Sequence, residues 1–248
     1  MDSKIFVINL KHRNDKREHI LRQSQALNIP AEIIDAVDGN KLTDHALEAW
    51  VCDYPHCALT KGVIGCALSH LNLYRKIVAE GIALALILED DVILQEDLMT
   101  VFHRLKAYDL NDEPRVYLLS SHHYKKGGGQ LLVNHYHVHD YLDGSAAHAY
   151  ILNEKAAKSL YEHLLPVKWE ADKWYYFQQL GLVKVSCIVP HLIDTNGAAS
   201  YSDLFEQRAL LIKQRRRYLR RMKACVPFIQ KVKKFLWKAT KRPFAQKS

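Results

Sequence analysis

The sequence predicts an α/β fold in which an open, mainly parallel sheet is flanked by helices. Short apolar runs rich in β-branched residues alternate along the chain with segments whose apolar residues recur at helical spacing. The run at 82–88 is apolar throughout, which is typical of a strand buried on both faces of a parallel sheet. Ligands of such sheets bind outside the carboxyl ends of the strands, so the residues after predicted strands are the first candidates for a functional site.

The elements are predicted in the following order. A strand at 4–10 and a helix at 14–27 form the first βα unit, and a second strand covers 31–37. The helix at 62–80 has the clearest pattern, because its apolar residues recur every three or four positions, and it leads into the strand at 82–88. The remaining predicted elements are strands at 115–120, 146–152 and 183–189 and helices at 153–165 and 170–180.

The composition limits the class of protein. The chain has 248 residues, enough for one α/β domain, and its 48% hydrophobic content excludes wholesale disorder and a fibrous repeat. No apolar run approaches the roughly 20 residues needed to cross a bilayer. The N-terminal segment has the pattern of a first strand rather than of a signal peptide. We therefore expect a protein that stays in the cytoplasm.

The net charge is divided unevenly along the chain. Residues 204–248 contain 15 lysines and arginines and one acidic residue, so this segment carries +14 and leaves −6 on residues 1–203, for a total of +8. We predict a catalytic domain at 1–203 and a basic, helical tail at 204–248. Such a tail is typical of a domain that attaches to a polyanion, either anionic lipid headgroups or nucleic acid.

Apolar residues of this tail form two short stripes separated by Pro227. Lysines and arginines surround both stripes, as they do in helices that lie in a membrane interface. Packing of the stripes on the body of the protein or on a second subunit is the alternative. The first stripe contains Leu211, Tyr218, Met222 and Cys225, and the second contains Phe228, Val232, Phe235, Leu236 and Ala239.

Three acidic residues, Glu89, Asp90 and Asp91, directly follow the apolar strand at 82–88. Carboxylates crowded against the end of a buried strand repel each other and lose hydration, so their ionised forms require a nearby cation. Carboxylate oxygens favour Mg²⁺ or Mn²⁺, whose other coordination positions are commonly filled by water and substrate phosphates. A continuing strand would point residues 89 and 91 to one side and 90 to the other. Stabilisation of a following helix by its acidic start is the structural alternative.

Six segments carry a resemblance to a known family. They are IFVINLKHRNDKR (5–17), AVDG (36–39), GVIGCALSH (62–70), LILEDDV (86–92), AYIL (149–152) and Asp172. In this order they resemble glycosyltransferase family 25, which includes bacterial lipooligosaccharide galactosyltransferases and the collagen galactosyltransferase domains. The resemblance implies a GT-A-like fold, a nucleotide-sugar donor, Mn²⁺ or Mg²⁺ as cofactor, and inversion at the anomeric carbon.

The resemblance also implies which residues hold the donor and the metal. The residues implied in donor binding are Asn9, Leu10, Arg17, Asp38, Ser69, His70, Glu89 and Asp90. Those implied in metal binding are Asp91 and Glu89. His191, after the last predicted strand, is the third candidate metal ligand, and a hydrogen-bonded loop histidine is the alternative. Structural roles are the alternatives: a surface ion pair for Arg17, and packing of the helix on the sheet for Ser69, His70 and the neighbouring Cys66.

Asp172 is the predicted catalytic base. Inverting transfer requires a base that takes the proton from the acceptor hydroxyl as the nucleoside diphosphate of the donor leaves. An ion pair with a neighbouring lysine is the structural alternative, and Asp143 and Asp194 are the alternative bases. Aromatic residues near Asp172 are of the kind that packs on a sugar ring. They are Trp169, Trp174, Tyr175 and Tyr176.

Taken together, the sequence predicts a metal-dependent, inverting glycosyltransferase. The predicted reaction moves a hexose, with galactose from UDP-galactose as the first candidate, in β linkage onto a core sugar of lipooligosaccharide or lipopolysaccharide. The predicted partners are the UDP-hexose donor, a lipid-linked oligosaccharide acceptor and an anionic membrane bound through residues 204–248, with no nucleic acid. The predicted location is peripheral, at the inner face of the cytoplasmic membrane. The alternatives are a nucleic-acid-binding protein that acts through the tail and a metal-dependent phosphohydrolase that uses the acidic triplet.

Overall fold

The computed structural model describes residues 2–109, 113–195, 205–224 and 245–247. Within these ranges the chain forms one large sheet with helices on both faces. The strands are β1 (Ser3–Asn9), β2 (Ala31–Asp35), β3 (Leu84–Glu89), β4 (Val92–Ile93), β5 (Arg115–Leu118), β6 (His123–Lys125), β7 (Gln130–Val133), β8 (Tyr136–Asp143), β9 (Ala149–Asn153), β10 (Lys184–Val189), β11 (Asp194–Thr195) and β12 (Ala245–Lys247). The helices are α1 (Asn14–Ala26), α2 (Asp44–Trp50), α3 (Lys61–Ala79), α4 (Leu98–Tyr108), α5 (Glu154–Leu164), α6 (Trp174–Gln179) and α7 (Phe205–Ala224), and a 3-10 helix covers Gly39–Lys41.

The sheet separates two hydrophobic cores. Alternation along β1 sends Phe6 and Ile8 into one core, which α3 and α5 cover, and Ile5 and Val7 into the other, which α1 and α4 cover. The same division applies to β3, in which all residues from Leu84 to Leu88 are buried. Burial on both faces is what the wholly apolar run predicts.

The predicted fold class, an α/β protein with a mainly parallel sheet, is confirmed. The strand order is β12-β6-β8-β10-β5-β9-β3-β1-β2, with β7 also paired to β8. From β10 to β2, the described strands run in one direction except β9, which is antiparallel to both β5 and β3. Around β8, the sheet continues as an antiparallel extension formed by β6, β7 and β12.

The carboxyl ends of β2, β1 and β3 lie side by side. Ile8 is in register with Glu89, and Asn9 is in register with Asp35. The segments that leave these strands therefore begin at one edge of the sheet. This edge is where the sequence predicts a ligand site.

Helix α3 lies unusually close to the segment that follows β2. A Cβ atom on Gly65 would approach the carbonyl oxygen of Val37 to 2.5 Å and the amide nitrogen of Gly39 to 2.6 Å. Ser69, one turn further along α3, donates to the carbonyl oxygen of Gly65 at 2.7 Å and accepts from the amide of Val37 at 2.8 Å. The small residues of α3 thus admit the backbone of this segment.

Several element boundaries differ from the sequence prediction. The helix predicted at 170–180 is observed only over Trp174–Gln179, because the residues before it form a turn. Helices α2 and α4 were not predicted, although α4 buries Leu98, Val101 and Leu105 at helical spacing. The apolar patterns of α2 and α4 are short, and both helices lie beside more conspicuous motifs of the sequence.

The predicted basic tail contacts the body at two places among the described residues. Helix α7 packs on the first core through Tyr218, and β12 pairs with β6 at the edge of the sheet, so the tail is not wholly helical. Met222, Cys225 and the whole second stripe lie outside the side chains that the structure describes. Among the described residues, no helix combines the length and the apolar character that a membrane crossing requires.

Candidate active site

A cavity of about 210 Å³ opens at the carboxyl edge of β1, β2 and β3. It is lined mainly by the loops after these strands and by one face of α3. The predicted site residues that line it are Leu10, Asp38, Ser69, His70, Glu89, Asp90 and Asp91. Residues separated by up to about 80 positions in the chain therefore line one cavity.

Asp90 is anchored in the wall of this cavity. It is 8% exposed, and its Oδ2 accepts a hydrogen bond from Nδ2 of Asn9 at 2.8 Å. Its Oδ1 lies 3.0 Å from Nζ of Lys16. Asn9 itself is buried and does not line the cavity, so it positions Asp90 rather than presenting its side chain to a ligand.

Asp90 and Asp91 do not alternate as residues of a continuing strand would. Strand β3 ends at Glu89, and the next two residues form the turn into β4. Nζ of Lys16 contacts both aspartates, with Oδ2 of Asp91 at 3.4 Å. The prediction that residue 90 points away from 89 and 91 is therefore wrong, because the turn changes the direction of the backbone. All three carboxylates line the cavity.

The cations that line the cavity are not the one predicted. Arg13 and Lys16 line the cavity, whereas Arg17 does not. Lys16 lies in the first turn of α1, and Arg13 directly precedes the helix and pairs with Asp15 at 2.8 Å. The sequence motif at 5–17 contains Arg13, Lys16 and Arg17. The rotation of α1 against the sheet decides which of these residues line the cavity.

Glu89 is held by a buried network that starts on α3. Its Oε1 lies 3.4 Å from Nε2 of His70, and Nδ1 of His70 lies 2.7 Å from the hydroxyl of Tyr150. The hydroxyl of Tyr150 is in turn 2.8 Å from that of Tyr74. Burial alone would raise the pKa of Glu89, but its hydrogen bond with His70 and the nearby positive charges lower this pKa below its usual value.

Asp172 does not line this cavity. Burial raises the pKa of the Cys66 thiol, and the negative charges of Glu89 and Asp172 raise it further. Oδ1 of Asp172 accepts a hydrogen bond from Nζ of Lys173 at 3.3 Å. The lysine pair that was the structural alternative for Asp172 is thus formed, and it leaves the second oxygen of the carboxylate for other contacts.

The aromatic residues around Asp172 divide into two groups. Trp174 is fully buried, and its indole nitrogen donates to the carbonyl oxygen of Ala146 at 2.8 Å. Its prediction as a sugar-packing ring is therefore wrong, because helix α6 turns it into the core. Trp169 and Tyr176 are only partly buried and stack on each other with ring centroids 4.9 Å apart. They keep aromatic surface near Asp172.

His191 does not line the cavity that the other two predicted metal ligands share. Nε2 of His191 lies 3.2 Å from Oδ1 of Asp194. The pairing of β11 with β4 places Asp194 opposite Ile93, two residues after Asp91. Asp91 and Glu89 remain as the predicted ligands that line the cavity.

The remaining pair fits a hard divalent cation. Oδ1 of Asp91 is buried and has no hydrogen-bond partner among the described residues, and carboxylate oxygens are the donors that Mg²⁺ and Mn²⁺ prefer. An unpartnered, buried carboxylate oxygen is costly unless a cation or water satisfies it. The contacts of Lys16 show that positive charge is favoured at this point.

Arg215 is a residue near this site that no sequence pattern indicated. Although it belongs to the basic tail, it is 7% exposed and donates to the carbonyl oxygens of Cys57 and Lys168 at 2.9 and 2.6 Å. Its guanidinium also pairs with Glu170. Its partners are more than 40 positions away in the chain, so only the fold reveals them.

A family model described as glycosyltransferase family 25 (LPS biosynthesis protein) matches residues 2–175. This range is well over half of the chain and contains the cavity residues as well as Asp172. The chain belongs to glycosyltransferase family 25, and the resemblance predicted from the motifs is confirmed.

Relatives with curated descriptions match shorter segments. Procollagen galactosyltransferase 1 of Danio rerio is 39% identical over 117 residues, which are 44% of this chain and 18% of that protein. A human protein described as inactive glycosyltransferase 25 family member 3 is 36% identical over 109 residues, which are 41% of this chain and 18% of that protein. The matched segments thus span less than a fifth of these relatives. Because an inactive protein and a transferase both match, the activity must be argued from the residues of the site.

A solved structure of 4-diphosphocytidyl-2C-methyl-D-erythritol synthase from Anaerococcus prevotii is a distant match. It has a TM-score of 0.40 at 14% identity, with 86% of this chain and 98% of that chain covered. A likeness of this degree has no bearing on the reaction.

Proposed function

We propose that this protein is a metal-dependent, inverting hexosyltransferase that uses a nucleotide-sugar donor, with UDP-galactose as the first candidate. The observation that carries the proposal is the mixed charge of the cavity. The carboxylates of Glu89, Asp90 and Asp91 share it with the cationic side chains of Arg13 and Lys16. A nucleoside diphosphate together with a divalent cation complements both sets of charges.

Arg13 and Lys16 would bind the diphosphate. Both residues line the cavity, Lys16 from the first turn of α1 and Arg13 from the position before this helix, and cationic side chains of this kind bind phosphate oxygens. Leu10 and Asp38, which line the same cavity after β1 and β2, would contact the nucleoside. Asp38 is partly held already, because its Oδ1 accepts from the amide of Asn40 at 3.1 Å.

Asp91 and Glu89 would hold the metal. A bound Mg²⁺ or Mn²⁺ would offset the negative charge that develops on the departing diphosphate. The role of this chain is to orient the two carboxylates. His70 contacts Glu89 and lowers its pKa, and the turn after β3 orients Asp91.

Asp172 would act as the base. In inverting transfer, its carboxylate accepts the proton of the acceptor hydroxyl while that oxygen attacks the anomeric carbon from the face opposite the diphosphate. The hydrogen bond from Lys173 orients the carboxylate. The stacked pair of Trp169 and Tyr176 would pack on the acceptor sugar.

The acceptor that we propose is a core sugar of lipooligosaccharide or lipopolysaccharide, carried on lipid and reached at the inner face of the cytoplasmic membrane. Support comes from the charge distribution and from α7. The exposed basic residues of this helix recur on its outward side, where they could approach anionic headgroups. They include Lys213, Arg216, Arg217 and Arg220. Family membership gives no support to a nucleic-acid-binding protein or a phosphohydrolase.

Thermal unfolding with a panel of nucleotide sugars tests the donor. In the presence of Mn²⁺, one uridine diphosphate sugar should raise Tm, because a ligand at 100 times its Kd stabilises a protein by about 2.7 kcal/mol. Removal of the metal by a chelator should abolish the shift. If no nucleotide sugar raises Tm in the presence of either metal, the proposed function is wrong.

A further inference from the structure

A second group of metal-ligand atoms lies in the cavity wall beside the acidic motif. Cys66 Sγ, a ring nitrogen of His70 and a carboxylate oxygen of Glu89 all lie within 4.8 Å of one another, and no other such group of three occurs among the described residues. Sγ of Cys66 is 3.9 Å from Oε1 of Glu89, and Nε2 of His70 is 3.4 Å from the same oxygen. Neighbouring ligand atoms of a tetrahedral zinc site are about 3.3 to 3.8 Å apart, which follows from the metal–ligand bond lengths. The three atoms are therefore almost in place.

The fold holds two of these ligands rigidly. Cys66 and His70 are four residues apart on α3, so they share one face of a helix that is packed tightly on the sheet. His70 is 2% exposed, and the hydroxyl of Tyr150 engages its Nδ1 at 2.7 Å. A histidine that binds a metal commonly uses its second ring nitrogen in this way, because the hydrogen bond fixes the ring orientation.

The chemistry of these ligands differs from that of the proposed Mg²⁺ or Mn²⁺ site. A thiolate and an imidazole favour softer cations such as Zn²⁺ and Co²⁺, whereas Mg²⁺ and Mn²⁺ favour oxygen. We infer that Cys66, His70 and Glu89 form a binding site for a zinc-class divalent cation, with the fourth coordination position open to the cavity. The thiol proton passes to solvent as the metal–sulfur bond forms. The charge of the cation compensates the thiolate and Glu89 together.

Occupancy of this site has a consequence that rests on the proposed function. Glu89 belongs to both ligand sets, so a cation bound to Cys66 and His70 draws this carboxylate away from the proposed catalytic metal. Zinc should then inhibit sugar transfer by competition for Glu89. The binding of the soft cation itself requires neither a donor nor a transferase activity.

Cobalt absorption spectroscopy tests the binding directly. The reduced full-length protein is titrated with Co²⁺ alone, and a thiolate-to-cobalt charge-transfer band should grow to saturation at one equivalent. An excess of Zn²⁺ should remove the band. Cys66→Ser should abolish it, whereas Cys52→Ser should retain it, because Cys52 does not line the cavity. Absence of the band in the wild type, or its survival in Cys66→Ser, overturns the inference.

A second measurement uses only the wild-type protein, so its result does not depend on whether Cys66→Ser folds correctly. Cys66 is the exposed member of the described cysteines, and its alkylation by iodoacetamide can be followed by peptide mass spectrometry. Zn²⁺ should slow this alkylation at least tenfold, and Mg²⁺ at the same concentration should not. An alkylation rate that Zn²⁺ leaves unchanged contradicts the site. Since neither measurement uses a nucleotide sugar, their failure is distinguishable from failure of the proposed transferase function.

Discussion

Arg215 and Glu170 form a two-point ion pair, with Nε of Arg215 3.1 Å from Oε1 and its terminal nitrogen 3.0 Å from Oε2 of Glu170. Glu170 stands two residues before Asp172 in the chain. The guanidinium also caps the carbonyl oxygen of Lys168, so α7 fixes both ends of the short segment that leads to the predicted base. Arg215, although it belongs to the basic tail, thus helps to hold the body of the protein together.

Replacement of Arg215 by alanine should destabilise the protein strongly. Both side chains of the pair are largely buried, and removal of one partner leaves the other charge uncompensated, which costs about 3 kcal/mol or more. Denaturant unfolding monitored by circular dichroism measures the loss. Arg217→Ala is the matched control, because Arg217 is an exposed arginine of the same helix and its removal should change stability by at most about 0.5 kcal/mol. Equal losses in the two variants would contradict the role of the pair.

The contribution of the Arg215–Glu170 pair to the stability of the fold should decrease as the pH falls into the acidic range. Burial acts to raise the pKa of Glu170, but the hydrogen bond from Arg215 lowers it below the ordinary value of 4.5. A carboxylate with a lowered pKa stabilises the fold fully above its ordinary pKa and loses that effect as the pH falls through its lowered pKa. The stability difference between wild type and Glu170→Gln should therefore be constant at neutral pH and shrink in acid. A difference that grows below pH 4.5 would show that the pair does not cause it.

Binding of α7 to anionic membranes should depend on its outward basic residues and not on Arg215. Lys213, Arg217 and Arg220 are exposed and recur at helical spacing, so their replacement by glutamate reverses the charge of one face without touching the body. Liposome flotation should show reduced binding of this triple variant to anionic vesicles, and wild-type binding should weaken as salt rises. A chain that ends at Asp203 would lose the membrane contact and the Arg215 pair together, so it cannot separate the two. Flotation of the triple variant at the wild-type level would refute the membrane role of α7.

Asp172→Asn should slow sugar transfer by a factor of about 10² to 10⁴ if Asp172 is the base, with little change in donor affinity. The amide keeps the shape of the side chain and removes its ability to accept the proton. Steady-state kinetics with a soluble acceptor, combined with donor binding by calorimetry, separate the two effects. Glu48→Gln is the control, because Glu48 is an exposed carboxylate of α2 that does not line the cavity. A collapse of donor affinity in Asp172→Asn would identify the residue as a donor ligand instead.

Gly65→Ala should loosen the contact of α3 with the segment after β2. The added methyl group would meet backbone atoms of Val37 and Gly39 at 2.5 to 2.6 Å, and such overpacking typically costs about 1 to 3 kcal/mol. Gly62→Ala on the same helix is the control, since a Cβ atom there would meet nothing within 4 Å and should be neutral or stabilising. Comparison of the two free energies of unfolding tests the contact, and similar values would contradict it.

The sequence was sufficient wherever a local pattern determined the structure. Glu89 and Asp91 were predicted because charge directly follows a buried strand, and Asp38 was implied by the family resemblance; all three line the cavity. Arg17 was predicted beside the donor but does not line the cavity, since the rotation of α1 against the sheet depends on packing that no local pattern contains. Trp174 was taken for a ligand-facing ring for the same reason.

Long-range contacts account for the other differences. The partners of Arg215 come from segments near residues 57 and 170, and a basic helix with an apolar stripe has the same pattern whether it faces lipid or protein. Cys66 was assigned to packing because cysteine is most often buried, yet here it opens onto the cavity. Both outcomes depend on what the rest of the chain places opposite these residues.

Calorimetric titration of UDP-galactose in the presence and absence of Mn²⁺ tests the central claim, that Asp91 holds a metal required for binding of a nucleotide-sugar donor. Wild-type protein and the control Glu48→Gln, in which an exposed carboxylate of α2 is lost, should bind the donor with Mn²⁺ and bind it at least tenfold more weakly without the metal. Asp91→Asn should show only the weak binding under both conditions while unfolding at the wild-type temperature. Donor binding by Asp91→Asn that remains as tight and as dependent on Mn²⁺ as that of the wild type would contradict the account.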